Sequence, residues 1–125
     1  MINEKGKLFE SELKLMELLW ENEGLSAKEL SLLANEKIAW NKNTTYTVIK
    51  KLIAKGVIKR VEPDFRCYSL VNRVDVGRQE AKSVIDLFYG GSIKALLSSF
   101  MADTDLSEEE VEELRQLIKE SQNKE

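Results

Sequence analysis

The sequence predicts a mainly α-helical fold carrying one small β-hairpin, and three observations lead there. Apolar residues recur at spacings of three and four through most of the 125 residues, the pattern of helices that bury one face. Two short runs rich in β-branched and aromatic residues flank Pro63, the only proline, as strands flank a turn. Residues that start and stop helices fall at the ends of the periodic segments.

Residues 9–23 place Leu13, Met16, Leu19 and Trp20 on one stripe, widened by Leu15 and Leu18, and Gly24 is a natural stop. Ser26-Ala-Lys-Glu29 is a capping-box sequence. It opens a second helix with Leu30, Leu33 and Ala34 inward, ending near Asn35–Lys37. Ile38-Ala-Trp40 is short and apolar, compatible with an extended connector. Asn41 offers a cap for a third helix from about Lys42 to Lys55, closed by Gly56. Its inward set is Tyr46 or Thr45, Val48 or Ile49, then Leu52 and Ile53.

Residues 57–61 and 65–71 read as the hairpin strands, joined through Glu62-Pro63-Asp64. A fourth helix covers Val74–Tyr89 and breaks at Gly90-Gly91. Ser92 caps a fifth, carrying Ile93, Leu96, Leu97 and Phe100. After an Asp103–Leu106 linker, Ser107-Glu-Glu-Glu110 is a second capping box, with acids on the positive end of the helix dipole. The last helix bears Val111, Leu114, Leu117 and Ile118.

Three helices followed by a hairpin make a winged helix-turn-helix with its third helix as the reading element, here over residues 1–73. Residues 74–125 form a three-helix region. Charge divides the same way. Residues 38–73 hold eight Lys/Arg against two acids, residues 1–37 hold five against eight, and residues 74–125 hold six against twelve. The middle block therefore suits a polyanion such as double-stranded DNA, in a chain that is acidic overall.

On the third helix Asn43, Thr44 and Thr47 share one face, with Lys50 or Lys51 a turn further on. Asn can pair bidentately with adenine, and Thr can touch a thymine methyl or a base-edge acceptor. Lys42, Lys50, Lys51 and Lys55 are placed to hold phosphates and fix register. Arg60 and Arg66, on the hairpin, are placed to reach adjacent backbone or minor groove. Trp40 reads as a plug between helices, and Cys67, alternating with Arg66 and Tyr68, as an inward-facing small apolar residue. Solvated basic surface is the competing reading of the lysines.

The acidic region carries three amphipathic helices beside a small body. A twofold copy is the simplest way to cover them, because dimers bring two reading helices to two half-sites. Leu87, Phe88, Ile93, Leu96, Leu97, Phe100, Leu114, Leu117 and Ile118 are the candidates for that shared core, with intramolecular packing as the alternative.

Several classes are disfavoured. The chain has no histidine and one cysteine, so neither a Cys/His zinc site nor an internal disulfide is available, as suits a reducing cytoplasm. No cofactor motif is present. Nothing resembles a secretion signal, and no apolar run approaches about 18 residues, so membrane insertion is not expected. Without a Gly-rich phosphate loop or an evident pair of catalytic carboxylates, an enzyme is not expected either. A winged-helix protein-interaction module, docking its basic face on an acidic protein, remains the alternative to DNA binding.

Several segments in this order and spacing resemble the penicillinase repressors of the BlaI and MecI type. They are Glu12 with Leu15-Met16 and Leu18-Leu19-Trp20, then Trp40 with Thr44, Thr47 and Leu52-Ile53-Ala54-Lys55-Gly56. The hairpin ending in Tyr68, the Phe88–Ser92 stretch and the Leu106–Arg115 segment complete the set. The resemblance spans nearly the whole chain. It implies a homodimeric repressor on a palindromic operator upstream of β-lactamase or similar resistance genes. It also implies release when a membrane sensor-protease, triggered by β-lactam, cuts the dimerisation region.

The cut bond carries over to Ser99-Phe100, although the best-known members have Asn where this chain has Ser99. Phe100 as a dimer-core aromatic is the other reading. The family's Ser-Pro start to the reading helix is replaced by Asn41-Lys42, which implies a different operator preference. A copper-responsive branch ends in Cys-x-Cys; this chain has no cysteine after Cys67, which excludes metal sensing by that route.

Overall fold

A computed structural model of the chain describes residues 7–123. Its elements are α1 (Glu10–Glu21), α2 (Ala27–Ile38), α3 (Lys42–Ala54), β1 (Ile58–Val61), β2 (Arg66–Ser69), α4 (Arg73–Tyr89), α5 (Ile93–Met101) and α6 (Glu108–Gln122). The fold is mainly helical with a two-stranded antiparallel hairpin, as the sequence predicts. The chain divides into two compact units, Met1–Ala81 and Lys82–Glu125.

In the first unit α1, α2 and α3 bury one face each around a common core. Leu15, Met16 and Leu19 from α1, Leu30 and Ala34 from α2, and Ile49 and Leu52 from α3 are sealed from solvent. Each such Leu, Ile or Met side chain contributes roughly 1.5–3 kcal/mol relative to leaving it in water. Thr45 and Val48 complete the inner face of α3, while Tyr46 and Ile53 sit half-buried at its edges. The Ser26 box forms as the sequence requires: the Glu29 N–H donates to Ser26 Oγ at 3.1 Å, and the Ser26 N–H donates to Glu29 Oε1 at 2.9 Å. The Ser26 backbone N–H, and after it the Ser26 side chain, hold the Glu29 carboxyl below the usual carboxylate range, with nearby Arg66 adding to the effect.

Two local expectations are corrected. First, α2 runs through Ile38 instead of stopping near Asn35–Lys37, and Ala39 turns the chain in the left-handed region at φ 56°. Residues 38–40 are therefore a helix end and a turn, not an extended connector. Second, β1 starts at Ile58 and β2 at Arg66. Phe65 belongs to the hairpin turn, with φ 51°; its ring meets Tyr46 edge-on at 6.2 Å and lies 3.7 Å beneath the Arg60 guanidinium. The α1–α2 connection that holds Gly24 also runs along the free edge of β2. Gly24 N–H donates to Cys67 O (3.0 Å), Cys67 N–H to Leu25 O (2.8 Å) and Ala27 N–H to Phe65 O (2.8 Å).

Gly24 sits at φ +86°, and a Cβ there would come within 3.2 Å of the Tyr68 ring. Backbone angle and close approach both demand glycine. Trp20 Nε1–H donates to Val71 O at 2.9 Å, fastening the chain after β2 to α1. Cys67 faces the core and is fully buried. Desolvation pushes its thiol up to about 11 against the opposing pull of Arg60. The thiol is expected to be silent towards a disulfide reagent at about pH 8 in native protein and to react fully once guanidinium unfolds it; fast native reaction would place Cys67 at the surface.

In the second unit, Ser92 and Ser107 cap α5 and α6 as expected, accepting from Ala95 N–H at 3.0 Å and Glu110 N–H at 3.1 Å. Neither helix has a fully buried residue.

Candidate nucleic-acid interface

The start of α3 is organised by Asn41. Its side chain accepts from the Thr44 N–H at 2.8 Å, and its carbonyl accepts from Thr45 Oγ1 at 3.2 Å. With Thr45 turned into the core, helical spacing turns its neighbours outward: Lys42, Asn43, Thr44, Thr47, Lys50 and Lys51 are all exposed. The sequence-predicted reading residues therefore lie together on one open face, with lysines at both ends of it.

The cations of the basic block fall into two groups. Lys42, Lys50, Lys51 and Lys59 have no carboxylate partner among the described residues. Lys42 Nζ does lie 5.8 Å from the Tyr46 ring centroid. Lys59 was not among the residues singled out from the sequence; it follows the buried Ile58 on β1, and strand alternation turns it outward, where it is exposed.

The other four cations are engaged. Arg60 bonds Glu62 and stacks on Phe65. Arg66 donates to Gly24 O at 2.8 Å and lies 3.9 Å from Glu29. Both keep nearly half of their side-chain surface in solvent. Arg73 reaches Glu17 at 2.6 Å and covers Trp20. Lys55 corrects the expectation of a phosphate-holding lysine, because it points inward to a buried carboxylate, Glu12, at 2.7 Å.

The apolar residues expected to form a shared core are mostly in solvent within one chain. Leu87 is 76% exposed and Phe88 72%. Ile93, Leu97, Phe100, Leu114, Leu117 and Ile118 are exposed too, while Leu96 is half-buried. Ser99 lies within α5; its hydroxyl donates to Leu96 O at 2.9 Å and is 3.0 Å from Tyr89 Oη. Among the described residues no group of His, Cys, Asp or Glu could hold a metal ion, and no single helix is long and apolar enough to cross a membrane.

Comparison with known proteins gives the same family from several directions. The methicillin resistance regulatory protein MecI of Staphylococcus aureus (strain N315) is 30% identical over 120 residues, which are 94% of this chain and 98% of that one. The penicillinase repressor of Staphylococcus aureus is 27% identical, covering 94% of this chain and 95% of its own. That of Bacillus licheniformis is 23% identical, covering 94% of each. The sequence model of the family described as penicillinase repressor matches residues 8–120, and the chain belongs to that family.

Proposed function

We propose that this protein is a homodimeric transcriptional repressor that binds a palindromic double-stranded DNA operator controlling β-lactamase-type resistance genes. The observation that carries the reading is the open α3 face of Asn43, Thr44 and Thr47, bordered by Lys42, Lys50 and Lys51, which have no carboxylate partner among the described residues. Residues 1–73 serve as the DNA-binding domain, with Lys42, Lys50 and Lys51 on phosphates and Arg60 and Arg66 presented by the hairpin. Residues 74–125 serve as the dimerisation domain, where a second copy covers the apolar faces of α4, α5 and α6.

Control lies in that second region. A membrane sensor-protease cuts Ser99–Phe100 and separates the two reading helices. The cut needs the end of α5 to open first, because Ser99 is helical and its hydroxyl is bonded at both sides. The protein works in the cytoplasm, needs no cofactor and performs no catalysis.

Binding to the DNA flanking its own gene tests the reading. Affinity is expected to fall about a thousandfold or more between roughly 50 and 200 mM salt, with a log–log slope near −0.9 for each phosphate neutralised. Failure to shift that DNA at moderate salt would favour the protein-interaction module instead.

A further inference from the structure

The reading face lies at the start of α3, but a buried charge pair grips the other end. The Glu12 side chain is 3% exposed. Its Oε1 accepts from the Phe9 N–H at 2.9 Å and from Lys55 Nζ at 2.7 Å. Lys55 caps the C-terminal end of α3. Its ammonium also donates to Lys7 O at 2.8 Å and lies 4.5 Å from the Phe9 ring centroid. One lysine thus ties the end of α3 to the first turn of α1 and to the chain leading into it.

Such a pair is a poor way to gain stability. Removing two charges from water costs nearly as much as their attraction returns, and apolar side chains of similar volume usually do as well. What an ion pair with directed hydrogen bonds adds is a defined geometry, since a carboxylate left unpaired inside the core is strongly penalised. The pair therefore favours the position of the helix end at which Lys55 meets Glu12.

That position matters at a distance. Thr44 lies eleven residues before Lys55, about 16 Å along the helix axis at 1.5 Å per residue. A tilt of about 5° about the Lys55 end would move Thr44 by more than about 1 Å. Hydrogen bonds to base edges do not survive such a displacement. Phosphate attraction does, because it acts over a screening length of about 10 Å.

We propose that Glu12 and Lys55 are positioning residues for sequence readout: their buried pair sets the pose of the reading helix without touching DNA. This rests on the assignment of α3 as the reading element. The 125-residue chain is compared on its own promoter DNA and on scrambled DNA of equal length, using Glu12→Gln, Lys55→Met and Lys55→Arg. The first two variants lose the preference for promoter over scrambled DNA by roughly ten- to a hundredfold, the size of one or two base contacts. Scrambled-DNA affinity and the salt slope stay at parental values, and Lys55→Arg restores most of the preference.

If a single substitution does not fold, the apolar double variant Glu12→Leu/Lys55→Met removes the unpaired charge; it is expected to fold and to show the same loss of preference. Folded variants that keep the parental preference overturn the proposal. A Lys55→Met variant that weakens both DNAs equally and lowers the salt slope by about one also overturns it, since that is the signature of a phosphate contact. A parent protein that does not distinguish the two DNAs overturns the readout assignment itself, a separate and recognisable result.

Discussion

Leu97→Asp is expected to leave a folded monomer at concentrations where the parent protein sediments as a dimer. In the single chain Leu97 is 44% exposed, so a carboxylate there reaches water and costs the chain only the side chain's partial apolar burial and a helix-propensity difference of well under 1 kcal/mol. In the proposed dimer the same position is covered by the second copy, together with Ile93, Leu96 and Phe100 of α5 and Leu114, Leu117 and Ile118 of α6. Burying an unpaired carboxylate costs about 3–5 kcal/mol, or on the order of a hundred- to several-thousandfold in association. The effect concentrates on assembly because one chain leaves this face open.

Operator binding should fall with assembly, since each half-site would then be held by one reading helix alone, without the effective concentration that linkage supplies. Far-UV dichroism is expected to match the parent. An unchanged sedimentation coefficient at low micromolar concentration would move the α5 face out of the interface.

The parts of the fold that were legible in the sequence are those fixed by local chemistry. Ser26, Ser92 and Ser107 each accept from the backbone N–H three residues on, which any reader of capping signals would expect. The period of α3 put Asn43, Thr44 and Thr47 on the outer face but left Tyr46 or Thr45, and Val48 or Ile49, open on the inner one; Thr45, Val48, Ile49 and Leu52 are the residues buried. What was not legible depends on contacts between distant residues. Gly24-Leu25-Ser26 looks like a turn, and nothing local announces that its backbone will pair with β2.

Charge counting had the same blindness. Eight cations between Ile38 and Arg73 looked alike, yet Lys55 and Arg73 are committed to Glu12 and Glu17, both on α1. Helical spacing could have hinted at the first of these. Glu12 lies on the same side of α1 as Leu15, Met16 and Leu19, where a carboxylate requires a partner. Finding that partner 43 residues away required the fold.

Thr44→Ala tests the reading face itself, and the local geometry makes it a clean substitution. The Thr44 N–H is held by Asn41 Oδ1 at 2.8 Å, a bond that alanine keeps, and alanine is the stronger helix former. Stability should therefore hold or rise slightly. Thr45→Ala, one residue on, would instead empty a fully buried position and lower stability. With the fold intact, any loss in Thr44→Ala belongs to the lost methyl and hydroxyl. On promoter DNA we expect binding weaker by about 1–3 kcal/mol, roughly five- to a hundredfold, the range of one base-edge contact. On scrambled DNA affinity and salt slope should be unchanged, because Lys42, Lys50 and Lys51 still meet the phosphates. Equal losses on both DNAs would make Thr44 a contact to the backbone and shift the reading role to Asn43 and Thr47.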